Sequence, residues 1–208
     1  MSSLSHVLYL HGFRSSPLSA KARFLSAWFA KHRPDVAWSC PQLPASPKAS
    51  AELITTLVKD WPHEHMLVMG SSLGGFYATW LAAQWGCKAL LLNPAVHPAR
   101  DLAKYIGEHP VWQKPEDTID FDPSFIGELN HLYVGAGLAW LSDASPVIGI
   151  PDAKDLLAVI ATGDEVLDWQ EMSKRYELVQ RHIIQGSDHG LTDFEAHWPV
   201  LNNLIGLI

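Results

Sequence analysis

Cysteine is scarce in this chain of 208 residues: Cys40 and Cys87 are too few and too far apart for a disulfide framework or a zinc site, and both read as small buried hydrophobes. Long hydrophobic runs are missing as well. No apolar stretch approaches the ~20 residues of a membrane span, and Met1 to Val7 is short and mixed rather than a basic leader followed by a hydrophobic run. A soluble cytoplasmic protein is expected. Positive charge is in deficit: 15 Lys and Arg against 22 Asp and Glu give a formal charge of −7, with no basic cluster of the kind a phosphate backbone requires. Nucleic acid is therefore not an expected partner. Gly70 to Gly75 lacks a Gly-Lys-Ser/Thr ending, no Rossmann glycine pattern follows the first apolar run, and His63-Glu64-His65 lacks the i, i+4 spacing of a zinc-binding helix. No nucleotide, nicotinamide or metal cofactor is expected.

What is present is enough apolar sequence, 48%, for one domain with a substantial core. Short β-type runs alternate with helical periodicity: strands at Val7–Leu10, Val36–Cys40, His65–Met69 and Lys88–Leu92, with helices at Ser19–His32, Ala49–Asp60 and Leu73–Trp85 between them. That alternation predicts a parallel sheet covered on both faces. From Pro94 to about Asp155 the rhythm breaks into prolines, glycines, scattered aromatics and short helical pieces at Ala99–Ile106 and Ser124–Val134. So long an excursion between strands reads either as a solvated loop or as a cover over a functional site. Its acidic residues outnumber its basic ones, which disfavours a strongly anionic partner. Leu156–Ala161 and Gln180–Gln185 then supply the last two of six strands, with helices to Tyr176 and from Thr192 to about Leu204.

The third strand runs into Gly70-Ser71-Ser72-Leu73-Gly74, a Gly-x-Ser-x-Gly turn that passes straight into a helix. A serine hydroxyl attacks only if it is lifted clear of the strand and met by a base, and a tight strand-to-helix turn does the lifting. The plain alternative is an ordinary Gly/Ser-rich βα turn, so the partners decide. Ser72, Asp164 and His189 each follow a strand, in the chain order serine, acid, histidine, at the carboxyl edge where parallel sheets build their sites. His189 would take the serine proton, and Asp164 would fix its tautomer. Leu73 N–H, at the helix N-terminus, and Phe13 N–H, in the loop after the first strand, are the candidate oxyanion donors. The competitors have structural readings: Ser71 is not central to the motif, Glu165 lies one residue beyond the strand-end acid, and Asp168 looks like a helix N-cap. His11 reads as shaping the oxyanion loop, His182 as a strand residue and His197 as a helix residue.

Leu8-Tyr9-Leu10-His11-Gly12-Phe13, Ser15-Ser16-Pro17, Pro41-Gln42-Leu43-Pro44, Gly70-Ser71-Ser72-Leu73-Gly74-Gly75, Asn93-Pro94-Ala95-Val96 and Thr162 to Asp168 together resemble the small bacterial esterases of the YqiA type, within the α/β-hydrolase superfamily. The resemblance runs from the first strand to the last helix. It departs at His97, which stands where the pattern would have an arginine. It implies a carboxylic ester hydrolase fold with Ser72, Asp164 and His189 as the triad, and matches least well in the middle segment; length and the break in rhythm predict a single domain over 1–208 with a cap-like insertion at about 94–155. The expected partner is a small-molecule acyl ester or thioester. A thioesterase, acyltransferase or peptidase would use the same triad, and a binding module on the same fold would need it broken.

Overall fold

The computed structural model describes residues 4–134 and 155–207. In chain order the elements are β1 (His6–Leu10), α1 (Ala20–His32), β2 (Ala37–Ser39), α2 (Pro47–Val58), β3 (Met66–Ser71), α3 (Leu73–Trp85), β4 (Lys88–Leu92), α4 (Pro98–Leu102), β5 (Gly107–Val111), β6 (Lys114–Phe121), α5 (Phe125–His131), β7 (Leu156–Ala161), α6 (Trp169–Arg175), β8 (Gln180–Ile184) and α7 (Phe194–Leu204). The main sheet has the order β2-β1-β3-β4-β7-β8, and every neighbouring pair in it is parallel.

Alternation along the strands sorts the core into two layers. Val7 and Tyr9 of β1 with Leu67 and Met69 of β3 face α1 and α7, where Leu25, Phe29, Phe194 and Trp198 meet them. Leu8, Leu10 and Val68 point the other way, onto Ile54 and Val58 of α2, Tyr77 and Leu81 of α3 and Met172 of α6. Helices therefore cover both faces. β3 and β7 are buried throughout and read as unbroken apolar runs, as central parallel strands do. Local signals set the helix ends. Ser46 accepts from Ala49 N–H at 3.0 Å ahead of Pro47, and α3 stops at Gly86, whose φ of 66° suits a left-handed C-terminal cap.

The stretch after β4 is more regular than its sequence predicts. β5 and β6 form an antiparallel hairpin with a register shift at Pro110/Val111. Most of its residues face solvent, Pro110 and Pro115 interrupt it, and Phe121 alone is fully buried, so no apolar alternation announced it. The helical pieces predicted at Ala99–Ile106 and Ser124–Val134 shorten to α4, followed by a 3₁₀ turn over Ala103–Tyr105, and to α5. The remainder of the predicted insertion, 135–154, lies outside the described residues. Among the described residues no helix is long and apolar enough to cross a membrane.

Candidate active site

The turn between β3 and α3 has almost no free space. A Cβ on Gly70 would sit 2.1 Å from Gly74 O, and one on Gly74 would sit 2.0 Å from Leu10 O, so both positions exclude any side chain. Ser72 between them has φ 56° and ψ −120°, a strained conformation for a residue with a Cβ. It is pinned there: Ser72 N–H donates to Leu92 O at 3.0 Å, and Ser72 O accepts from Ala95 N–H at 3.0 Å and Gly75 N–H at 2.9 Å. Phe76 N–H also donates to Ser72 O, at 3.3 Å, and strain sustained by these four backbone bonds aims the hydroxyl away from the strand.

The three residues singled out in the sequence converge on this point. His189 Nε2 lies 3.0 Å from Ser72 Oγ, and His189 Nδ1 lies 2.7 Å from Asp164 Oδ2. With Nδ1–H donating to the carboxylate, Nε2 is left to accept from the serine hydroxyl. The Asp164 side chain is completely buried, and its other oxygen accepts from Val166 N–H at 2.9 Å and Leu167 N–H at 2.8 Å. Both carboxylate oxygens are thereby directed. Gly163 completes the close approach, since a Cβ there would stand 2.8 Å from Gly186 O and Ser187 O in the histidine loop.

Phe13 and Leu73 line the same cavity as Ser72. No acceptor among the described residues takes a hydrogen bond from either amide. Gly12 brings the first loop close, a Cβ there meeting Ser72 Cβ at 3.2 Å. His11 holds the loop as its sequence position suggests: Nδ1–H donates to Gly12 O at 2.9 Å while Nε2 accepts from Leu43 N–H at 3.0 Å. Burial pushes its pKa down, which favours the neutral ring that this bonding needs.

The competing residues fall into other roles. Asp168 caps α6, accepting from Gln170 N–H at 2.8 Å; His182 is in β8, His197 in α7, and Ser71 ends β3. Glu165 does not touch the imidazole but accepts from His189 N–H at 3.0 Å, anchoring the backbone of the base. Asn93, fully buried with φ 42°, was legible only as a strand boundary. Its Nδ2 donates to Asp188 O and His189 O, each at 3.1 Å, and its Oδ1 accepts from Ala161 N–H at 2.8 Å. One side chain thus fastens the ends of β4 and β7 to the histidine loop. Its sequence signals were its place after the β4 run and in the block Asn93-Pro94-Ala95-Val96, neither of which points to this clasp.

A cavity of about 430 Å³ opens over Ser72 and His189. Phe13, Ala95, Leu102, Tyr105, Trp112 and Leu167 supply much of its wall, so the stretch after β4 does reach the site. Lys21, at the start of α1, lines it too and donates to Gly190 O, beside the histidine. Burial pushes its pKa down to about 8, and the Asp188 and Asp164 carboxylates limit the fall. Cys40 and Cys87 are free thiols, both pushed up to about 12 by burial; Cys87 is buried and Cys40 partly exposed.

Comparison with known proteins bears on the family and the fold. The model of the uncharacterised protein family UPF0227 matches residues 6–206. A putative hydrolase from Agrobacterium vitis S4 superposes with a TM-score of 0.73 at 16% identity, covering 99% of this chain and 89% of that one. The mouse alpha/beta hydrolase domain-containing protein 10 gives 0.65 at 15% identity, over 95% and 89% of the two chains. A structure from work on LipS and LipT, two metagenome-derived lipolytic enzymes, gives 0.68 at 17% identity, over 100% and 96%. At such identities the likeness establishes the fold: that of the α/β hydrolases.

Proposed function

Taking as premise that the chain belongs to the family UPF0227, we propose that it is a serine-dependent carboxylic ester hydrolase, a single domain over 1–208 in which the described part of the stretch after β4 walls the site. The observation that carries the reading is the continuous chain of hydrogen bonds Ser72 Oγ, His189, Asp164, at 3.0 and 2.7 Å, at the mouth of a half-open, largely apolar cavity. The lipolytic and hydrolase neighbours support the same class.

In this reading Ser72 Oγ attacks the ester carbonyl as its proton passes to His189 Nε2, and Asp164 stabilises the imidazolium. The developing oxyanion lies between the Phe13 and Leu73 amides, each contributing roughly 3 kcal/mol to lowering the barrier. His189 returns the proton to the departing alcohol, leaving an acyl group on Ser72. Water, deprotonated by the same imidazole, then releases the acid.

Turnover of a panel of aryl and alkyl acyl esters and acyl thioesters by the purified protein tests this. Saponification by the wild type that disappears in Ser72→Ala is the expected result. Turnover retained in Ser72→Ala would overturn it. An added alcohol or amine that diverts the acyl group from water would move the reading to an acyltransferase with the same triad.

A further inference from the structure

The acidic excess of the stretch after β4 disfavours an anionic partner, but of its described acids only Asp101 lines the cavity over Ser72. Glu116, Asp117 and Asp120 line a second cavity, on the side of the Phe13 loop away from His189. The cavity over Ser72 is lined by Lys21, Lys104 and Arg14, the last of which reaches both cavities, with Asp101 as its acid. That acid is already committed, accepting from Arg100 Nε at 2.8 Å. In a chain of net charge −7 the reactive cavity is therefore cationic.

The three cations are also incompletely used. Arg14 donates only through Nε, to Pro110 O at 3.0 Å, with its guanidinium 4.1 Å from the centre of the Trp112 ring; its two terminal nitrogens have no partner among the described residues. Lys104 stands 5.2 Å from the centre of the Tyr105 ring and makes no hydrogen bond or ion pair among the described residues. Lys21 bonds one carbonyl and feels the Asp188 and Asp164 carboxylates without an ion pair to either among the described residues, so its ammonium keeps donors to spare. α1 opens at the same wall with no acidic residue in its first turn.

We propose that this cavity selects esters bearing a second, anionic group, a carboxylate, read by Arg14, Lys21 and Lys104 while Phe13, Leu102 and Tyr105 hold the apolar body. The proposal rests on the esterase reading above. Focused by low-dielectric walls, three cations favour an anion in both binding and encounter.

Two matched ester pairs test it, 3-carboxyphenyl acetate against its methyl ester and monophenyl glutarate against phenyl methyl glutarate, each rate divided by that ester's own rate with hydroxide. The expected result is a normalised kcat/KM about ten-fold higher for the anionic member of at least one pair, shrinking as salt is raised from about 0.01 to 1 M. Lys104→Met, Arg14→Met and Lys21→Met should each cut that preference by about three-fold, and Lys21→Arg should keep it. Lys114→Met, in the acidic cavity, should leave it unchanged. Neutral esters favoured in both pairs, with the ratio indifferent to the three cations, would overturn the proposal and leave the esterase standing. A stronger preference for 3-acetoxyphenyl phosphate than for the carboxylate would replace the carboxylate by a phosphate. If no ester of either kind is hydrolysed and an organophosphorus probe leaves Ser72 unmodified, the esterase reading fails first and takes the proposal with it.

Discussion

The β3–α3 turn and the hairpin β5–β6 line the same cavity and are held in opposite ways. In the turn, backbone packs on backbone: Gly70, Gly74 and Gly12 have neighbours within 3.3 Å of where a Cβ would be, and Ser72 is fixed by four backbone hydrogen bonds. In the hairpin, single side chains reach across to an otherwise exposed ribbon. Arg14 bonds Pro110 O at 3.0 Å, Ser16 Oγ donates to Gln113 Oε1 at 2.9 Å, and Phe121 meets Phe13 at 5.3 Å between ring centres. Contacts of the first kind restrict which residue can occupy a position, so they leave a mark on the sequence; contacts of the second kind restrict only pairs that are far apart in it.

The sharpest break between the two regions is chemical. Ser72→Ala should lower kcat by roughly 10⁴- to 10⁶-fold with little change in melting temperature, measured on any ester the wild type accepts. Gly74→Ala comes next. Its Cβ would land 2.0 Å from Leu10 O with backbone on both sides, and a loss of more than about 4 kcal/mol in denaturant unfolding is expected. A folded Gly74→Ala protein with normal stability would show that the turn has slack it does not display. Asn93→Asp probes the clasp between the regions. It keeps the acceptor for Ala161 N–H but sets a carboxylate against the carbonyls of Asp188 and His189, at an expected cost of about 2–3 kcal/mol and a fall in kcat.

These effects explain what the sequence could show. Ser72, Asp164 and His189 were readable because each is a chemically distinctive residue at a strand end, and the structure brings all three within hydrogen-bonding reach. β1, β3, β4 and β7 were readable because buried parallel strands are apolar runs, whereas the edge strands β2 and β8 are largely exposed or half-buried and were readable from their place in the alternation of strands and helices. Asn93 was not, since its three partners come from β7 and the histidine loop, more than sixty residues away in sequence. The hairpin was not, because a solvent-facing ribbon needs no apolar alternation. The cationic lining of the cavity was hidden in a chain of overall negative charge, with Arg14 and Lys21 near one end and Lys104 in the middle.

Smaller effects sharpen the comparison further. Burial lowers the pKa of His11, so the unfolded chain binds its proton more readily than the folded one; the stability it confers is complete above pH 6.5 and declines as pH falls below that. His182, lowered by burial and by His197, adds to the same acid slope. Melting temperature should therefore drop from pH 7.5 to 5, and by less in His11→Asn, whose neutral side chain has no proton to gain. Arg14→Ala should cost less than about 1 kcal/mol of stability, because the contacts it removes are largely solvated. Its mark is kinetic, a raised KM, since the hairpin carries Trp112 and Gln113 into the cavity wall.

The most direct measurement of the central claim is labelling with a fluorophosphonate, which reacts with a serine only when a base has activated it, followed by mass mapping of the adduct. An adduct on Ser72 that vanishes in Ser72→Ala and in His189→Ala is the predicted result. A folded wild-type protein that takes up no label, or labels equally well without His189, would contradict the account and leave the hydrolase fold as a binding module.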